Sequence, residues 1–223
     1  CAPAAIEISE NDKVMAGVFV VVYTGSVNTV VRHPTTGLLT GYNTDAKGFE
    51  LALTEAIRTQ RVTSAVCYGY GGVAAVVVAV LRSLGVQKCY LTGRRPAAAA
   101  ERAKQLDVEV FDPELHAPDQ SAGRLFVNAA PVTDSPLCDA VGFEEALRGC
   151  TVVFDHELDG KYLREYCEQQ GDAVRYIPGK AMYFPQMAAQ WKLLLQHVVD
   201  DVDTTVPALL KQAEALRERR CNK

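Results

Sequence analysis

Residues Val66–Ala74, Val-Cys-Tyr-Gly-Tyr-Gly-Gly-Val-Ala, constrain this chain more than any other stretch. A short apolar run ends in G-x-G-x-x-A and opens into the apolar segment Ala75–Leu84, which is long enough for a helix. In a dinucleotide-binding turn, Gly69 permits the tight bend and Gly71 lets the backbone approach a pyrophosphate. Ala74 lets helix and strand pack closely, and Gly72 and Val73 stand where helix N–H groups face the phosphates. A glycine turn that only packs gives the same pattern, so context decides. The next apolar run, Lys88–Leu91, ends in Gly93-Arg94-Arg95-Pro96. Sites that select NAD carry an acidic residue at the end of that second strand, to bond the ribose 2′-hydroxyl. Glycine followed by two arginines suits a 2′-phosphate instead, and the expected cofactor is NADP.

From Thr63 onward strands and helices alternate. Strand Ser64–Tyr68 precedes helix Val73–Leu84, and strand Lys88–Leu91 precedes helix Ala97–Leu106, with Pro96 at its first position. Further strands fall at Val108–Phe111, Arg124–Ala129, Thr151–Phe154 and Ala173–Ile177, with helices at Phe143–Leu147 and Lys161–Gln170. Such alternation predicts an α/β fold, a doubly wound parallel sheet of Rossmann type with right-handed crossovers. Ligands then sit at the carboxyl ends of the strands, where the glycine turn, Arg94, Asn128 and Asp155 fall.

The flanks read differently. Val14–Tyr23 is a buried strand or a buried helix. Gly25–Arg32 and Leu38–Tyr42 form a hairpin around His33-Pro34-Thr35-Thr36-Gly37. An amphipathic helix over Ala46–Thr59, with Phe49, Leu51, Leu53, Ala56 and Ile57 apolar, follows Asn43-Thr44-Asp45, where Thr44 or Asp45 is a natural N-cap. Two more helices, Tyr183–Val199 with Met187, Trp191, Leu194 and Leu195, and Val206–Arg220 starting at Thr204 or Thr205, close the chain.

Composition removes other classes. A net charge of −4 argues against a nucleic-acid surface. Seven scattered cysteines (Cys1, Cys67, Cys89, Cys138, Cys150, Cys167, Cys221) with no C-x-x-C pair fit reduced thiols and a cytoplasmic location better than a disulfide framework. No histidine pair has metal-ligand spacing, so no metal is expected. Val14–Tyr23 is too short to span a bilayer, and no basic region precedes it. The 223 residues suit one domain or one and a half, and a first residue that is Cys reads as a piece of a longer protein.

Four separated motifs together resemble shikimate dehydrogenases. Ser26-Val27-Asn28-Thr29-Val30-Val31, then Gly41-Tyr42-Asn43-Thr44-Asp45 and Gly48-Phe49, is similar to the family's G-A-V-N-T-[IV] and G-x-N-T-D-x-x-G-[FI]. Gly69–Ala74 is similar to its G-x-G-G-[AS]-[AGS] loop, and Gly93-Arg94-Arg95 stands where it has an N-R-[TS] clamp for NADP. Gly179-Lys180-Ala181-Met182 with Gln186-Met187-Ala188 and Gln190-Trp191 resembles G-x-x-M-[LF]-x-x-Q-A-x-x-[QA]-[FW]. The resemblance runs from about Gly25 to Val199.

What it implies is NADP-linked interconversion of 3-dehydroshikimate and shikimate, or of a quinate-type polyol acid, in aromatic amino acid biosynthesis. Residues 1–44 would be the remnant of a substrate-binding domain, 45–178 the NADP-binding domain, and 179–223 helices that complete the substrate domain. Asn28, Asp45 and Gln186 would bind substrate, with Asp45 also catalytic. Gly69, Tyr70, Gly71, Gly72 and Val73 would cradle the pyrophosphate, and Gly93, Arg94 and Arg95 would meet the 2′-phosphate. Asn128, Ala129, His156, Gly179 and Met182 would complete the cofactor site towards the nicotinamide. The partner is then a small molecule, with no nucleic acid and no membrane; the oligomeric state stays open, a homodimer among the alternatives.

Departures from the pattern sit at the site. The family's lysine, in N-[VT]-[TS]-x-P-x-K, corresponds to Cys1–Glu7, where Ala5 or Glu7 stands instead; Tyr42, His33 and Lys47 are the available stand-ins. The substrate-touching tyrosine of F-D-x-x-Y is Leu158, and Asn-Ala-Thr-Pro is Asn128-Ala129-Ala130-Pro131. Two alternatives therefore stand beside an enzyme: a non-catalytic ligand-sensing relative of the kind seen in fungal quinate-pathway repressors, and a Rossmann domain that serves only for packing.

Overall fold

The described chain opens with a hairpin. In the computed structural model, which describes residues 26–119, 121–130, 142–158 and 160–221, β1 (Thr29–Arg32) pairs antiparallel with β2 (Leu39–Tyr42) in the register Thr29 to Tyr42. Its turn is held by His33, whose Nδ1 accepts the N–H groups of Thr35 and Thr36, each at 3.3 Å. The expected strand or helix over Val14–Tyr23, the segment Cys1–Glu7 and Pro131 lie outside the described residues.

Helix α1 (Asp45–Thr59) follows. Its buried face is Ala46, Phe49, Leu53, Ala56 and Ile57, the three-and-four spacing of an amphipathic helix. Leu51 is not part of that face: two residues from Phe49 and Leu53, it falls on the opposite side and is 53% exposed.

Strands β3 (Val62–Tyr68), β4 (Lys88–Thr92), β5 (Glu109–Val110), β6 (Gly123–Asn128), β7 (Val152–Asp155) and β8 (Arg175–Ile177) form one sheet in the order β5-β4-β3-β6-β7-β8. Every pairing in it is parallel. Between them run α2 (Gly72–Ser83), α3 (Pro96–Leu106), α4 (Phe143–Leu147) and α5 (Lys161–Gln169). This is the doubly wound α/β fold, with its order reversing where β3 touches both β4 and β6. Helices cover both faces, which is why β6 and β7 are buried at every position and β3 at all but Thr63, rather than at alternate residues. One face buries Val66, Tyr68, Phe126, Phe143, Val153 and Leu163 together. On the helix side of α1, Phe49 meets Phe154 edge-on at 4.9 Å. Each such buried aromatic or leucine contributes about 1.5–3 kcal/mol of transfer free energy.

Several element ends differ from expectation for local reasons. β8 starts at Arg175 because Gly171–Ala173 turns as a 3-10 helix. Helix α6 (Lys180–Leu195) starts three residues early, and α7 (Val202–Cys221) starts ahead of Thr204. Asp201 caps that helix, its carboxylate accepting both the N–H (3.1 Å) and the hydroxyl (2.6 Å) of Thr204. Cys67, Cys89, Cys150 and Cys167 are free and buried; burial pushes the Cys89 thiol up to about 11 and that of Cys150 up to about 12, so they act as small apolar side chains.

By its internal contacts the chain divides into two compact units. The first combines the described part of Cys1–Gly48 with Tyr183–Lys223, and the second is Phe49–Met182, which holds the whole parallel sheet. Among the described residues no helix is long and apolar enough to cross a membrane.

Candidate functional site

In the second unit, the turn after β3 is pinned from both sides. Gly69 donates its N–H to the Thr92 carbonyl (2.9 Å), and Ala129 donates to the Tyr68 carbonyl (2.8 Å). Gly69 adopts φ +130°, and a Cβ there would stand 2.7 Å from the carbonyl carbon and oxygen of Ala129. Glycine is thus required where the strand order reverses. A Cβ on Gly71 or Gly72 would meet nothing within 4 Å, so open space lies before the first turn of α2. That helix has Gly71 at its N-cap and no side chain capping it, which leaves the N–H groups of Gly72 and Val73 for an anion.

A cavity of about 220 Å³ adjoins this turn, lined by Tyr68, Gly69, Tyr70, Gly71, Gly93, Arg94, Arg95, Ala129 and Ala130. Its cations are the two exposed arginines at the end of β4. Arg95 donates from Nε to the Tyr70 hydroxyl at 2.8 Å. The Tyr68 side chain is fully buried, and its hydroxyl has no hydrogen-bond partner. An uncapped helix start and two arginines on one cavity fit a phosphorylated nucleotide.

At the ends of β6 and β7 a second polar group assembles. The Asn128 amide donates to Asp155 Oδ1 (2.9 Å), which also accepts the Glu157 N–H (3.1 Å), while Asn128 Oδ1 accepts the Ala130 N–H (3.2 Å). Burial raises the Asp155 carboxyl above the usual carboxylate range despite those hydrogen bonds. His156 Nδ1 lies 2.9 Å from the Asn128 carbonyl oxygen. A carbonyl only accepts, so Nδ1 carries the proton and Nε2 carries a lone pair. That Nε2 is buried without a partner. The ring stacks on Phe49 with centroids 6.0 Å apart and meets Phe154 edge-on at 5.0 Å. Burial lowers its pKa below 6.5, so the ring is neutral at pH 7. Gly179 donates to the Glu157 carbonyl (2.9 Å) and accepts from Met182 (3.0 Å), which brings Gly179 and Met182 to the same strand end.

In the first unit, the polar residues of the hairpin and the two helices converge on Asn28. Its Oδ1 accepts three donors: the Thr29 hydroxyl (2.9 Å), the Thr44 N–H (3.0 Å) and the Thr44 hydroxyl (3.2 Å). Each hydroxyl is in turn an acceptor. Gln186 donates to Thr44 Oγ1 and Gln190 to Thr29 Oγ1, both at 3.1 Å. With Oδ1 filled, the orientation of the Asn28 amide is settled, and its N–H side is turned to the Asp45 carboxylate, whose charged form it favours. Burial nonetheless holds the Asp45 carboxyl above its ordinary value, the Asn28 bond offsetting part of the effect. Asn43 serves the local turn, accepting the Asp45 N–H at 3.1 Å and donating to the Ser26 carbonyl at 3.0 Å. The Thr44 hydroxyl is therefore engaged in the network rather than in capping. Asn28 itself is exposed and Asp45 half-buried, so the amide and the carboxylate border solvent.

Sequence reading named Asn28, Asp45 and Gln186 as site residues and did not name Thr29, the Thr44 hydroxyl or Gln190, which the structure joins to them. A signal existed for Gln190: four residues beyond Gln186, it shares that helix face. None existed for the hydroxyls, whose partners lie 142 and 161 residues away. Of the stand-ins for the missing lysine, His33 is engaged through Nδ1 in its own turn. Among the described residues no group of His, Cys, Asp and Glu could hold a metal ion.

No protein-family profile matches the chain. It is 36% identical over 185 residues to the shikimate dehydrogenase (NADP(+)) of Symbiobacterium thermophilum, covering 75% of this chain and 60% of that one. To the shikimate dehydrogenase (NADP(+)) of Desulforamulus reducens it is 42% identical over 83 residues, 37% of this chain and 28% of the relative. The chain thus spans less than two thirds of these curated relatives. Among solved structures it resembles shikimate 5-dehydrogenase from Thermus thermophilus in complex with NADP(H) and shikimate, with TM-score 0.60 and 26% identity. That likeness covers 87% of this chain and 70% of the other.

Proposed function

We propose that this chain, which is similar to shikimate and quinate dehydrogenases over most of its length, is an NADP-dependent oxidoreductase of that family interconverting 3-dehydroshikimate and shikimate, or a quinate-like polyol acid. The observation that carries the proposal is the network around Asn28. Thr29, Thr44, Gln186 and Gln190 together fix one amide and, through it, one carboxylate that border solvent. So much ordering has little purpose on a surface unless a polar ligand is received there. An acid with several ring hydroxyls matches it: Asn28 donates to a hydroxyl oxygen, and Asp45 accepts a hydroxyl proton. Gln186 acts through Thr44 to hold Asn28 in place.

Reduced nicotinamide supplies the hydride when bound. The chain's part on the cofactor side is electrostatic. Gly72 and Val73 offer N–H groups to the pyrophosphate, and Arg94 and Arg95 offer charge-assisted hydrogen bonds to a 2′-phosphate. On the substrate side, Asp45 orients the acid and, as the hydride leaves or arrives, takes the proton from the reacting hydroxyl or returns it, exchanging it with the solvent that the carboxylate borders. Ala5 or Glu7 in the position of the family's lysine supports slow turnover. The relatives compared above are named as dehydrogenases, which favours this reading over a ligand sensor.

Two measurements test it. Fluorescence titration should give NADPH at least about tenfold tighter than NADH, the value of one charge-assisted contact. Mixing shikimate or quinate with NADP and following reduced-nicotinamide absorbance should show slow turnover that Asp45→Asn reduces by about 10²-fold or more. Equal affinity for both nucleotides would sink the NADP assignment. Unchanged turnover in Asp45→Asn would remove Asp45 from the chemistry.

A further inference from the structure

Arg95 is not held by the strand it follows but by a side chain from the glycine turn. Tyr70, the second residue of that turn, lays its ring directly over Gly93: a Cβ on Gly93 would stand 2.7 Å from Tyr70 Cε1 and 2.8 Å from Cδ1. The ring therefore occupies the space that any side chain at the end of β4 would need. From there its hydroxyl accepts the Arg95 Nε–H at 2.8 Å, and the guanidinium carbon lies 5.5 Å from the ring centroid. We propose that Tyr70 is the specificity-determining residue for a ribose 2′-phosphate, acting as a positioning residue that presets Arg95 over the nucleotide cavity, with Gly93 as the vacancy that makes this placement available.

The chemistry follows from which atoms Tyr70 uses. A guanidinium presents five N–H donors in a fixed fork. The bond to Tyr70 occupies only the Nε–H, on the stem side, and leaves the terminal pair of NH₂ groups for a phosphate oxygen pair. Arg95 is exposed, and a free arginine on a surface samples many rotamers before it meets an anion; one already tethered by hydrogen bond and ring contact loses less freedom on binding. Tyr70, Arg95, Gly93 and Arg94 all line the one cavity of about 220 Å³. Nothing in this arrangement favours the unphosphorylated ribose, because Tyr70 stands where a ribose-binding carboxylate would be and offers its own hydroxyl to arginine. The inference rests on the NADP reading above and adds to it the residue through which discrimination works.

The test compares equilibrium affinities for NADPH and NADH, and for the fragments 2′,5′-ADP and 5′-ADP, in the full chain and in Tyr70→Phe, Gly93→Ala and Arg95→Ala. Tyr70→Phe keeps the ring over Gly93 and removes only the acceptor. It should weaken NADPH and 2′,5′-ADP by about fivefold to tenfold while NADH and 5′-ADP change by less than about twofold. Gly93→Ala, which pushes the ring aside, should lower the same ratio. In the double variant Tyr70→Phe/Arg95→Ala the loss should equal that of Arg95→Ala alone, since Tyr70 acts only through Arg95. An unchanged ratio in Tyr70→Phe, equal weakening of both nucleotides, or additive losses in the double variant overturns the role of Tyr70 while leaving NADP selection standing. Unmodified protein with no preference for the 2′-phosphorylated ligands overturns both.

Discussion

His156 owes its chemistry to its surroundings rather than to its position in a motif. Its Nδ1–H is directed at the Asn128 carbonyl and its ring lies against Phe49 and Phe154, so burial outweighs the hydrogen bond and the pKa falls below 6.5. A histidine whose folded pKa lies below its unfolded value binds its proton first in the unfolded chain. The stability it contributes is present above the unfolded value and is lost as pH falls towards the folded one. The unfolding midpoint should accordingly drop between about pH 8 and pH 5, and His156→Phe should flatten that slope. Phe keeps the ring contacts, and the Asn128 carbonyl still accepts the backbone N–H of residue 156 at 3.2 Å. A slope identical in the variant would show that some other group titrates there. Asp45 and Asp155 act in the opposite sense. Burial raises both, so what they contribute is present at low pH and is lost as pH rises through their folded values. Asp45→Asn should then be no less stable than the parent at neutral pH, which keeps its effect on turnover separable from folding.

The glycines of the turn between β3 and α2 divide by what a methyl group would touch. Gly69→Ala would force a positive φ and set Cβ 2.7 Å from the Ala129 carbonyl group, an overlap with backbone that no side-chain rotation relieves. A loss of at least about 2 kcal/mol should appear as a lower urea midpoint. Gly71 has φ −74° and open space around its Cβ. Gly71→Ala should move the same midpoint by under about 0.5 kcal/mol yet weaken NADPH, because the methyl takes the space before the helix start. Equal stability effects at the two positions would mean the turn is not built as described. Most of these elements were legible in the chain itself. Apolar runs four to seven residues long, glycine breaks and Pro96 at a helix start are local signals that survive into the fold. Element ends were less legible, since Asp201 outcompeted the two threonines after it for the N-cap of α7 through bonds that three residues offered equally well on paper. Leu51 misled for another reason: apolar character was taken for burial, whereas the helical period places it outward.

At the level of the whole molecule, the six parallel strands and the candidate nucleotide cradle are contained in the second unit, Phe49–Met182. A chain cut to residues 45–182 should therefore unfold cooperatively in urea and bind NADPH with affinity within about threefold of the full protein. A fragment without a cooperative transition would show that the sheet depends on the remaining segments. The first unit draws its polar network from both ends of the sequence, because Gln186 and Gln190 on α6 reach Thr44 and Thr29 beside the hairpin. Substrate binding in such a fragment, which lacks Asn28, Thr44 and Gln186, should be absent even where the nucleotide binds, and shikimate retained by it would break the assignment of Asn28.

From the sequence alone came the alternation of strands and helices, the turn that ends β3, the arginines beyond β4 and the identity of Asn28, Asp45 and Gln186. Periodicity and glycine placement are properties of neighbours along the chain, and so they can be read without a fold. Only the tertiary structure decided which partners complete them. The order β5-β4-β3-β6-β7-β8 sets Ala129 against Gly69. A missing side chain at Gly93 admits the Tyr70 ring, and donors from the adjacent Thr29 and from Thr44 across the hairpin turn the Asn28 amide towards Asp45. Hydrogen-bond direction and steric exclusion depend on distances through space, and those exist only once the sheet and the helices have packed.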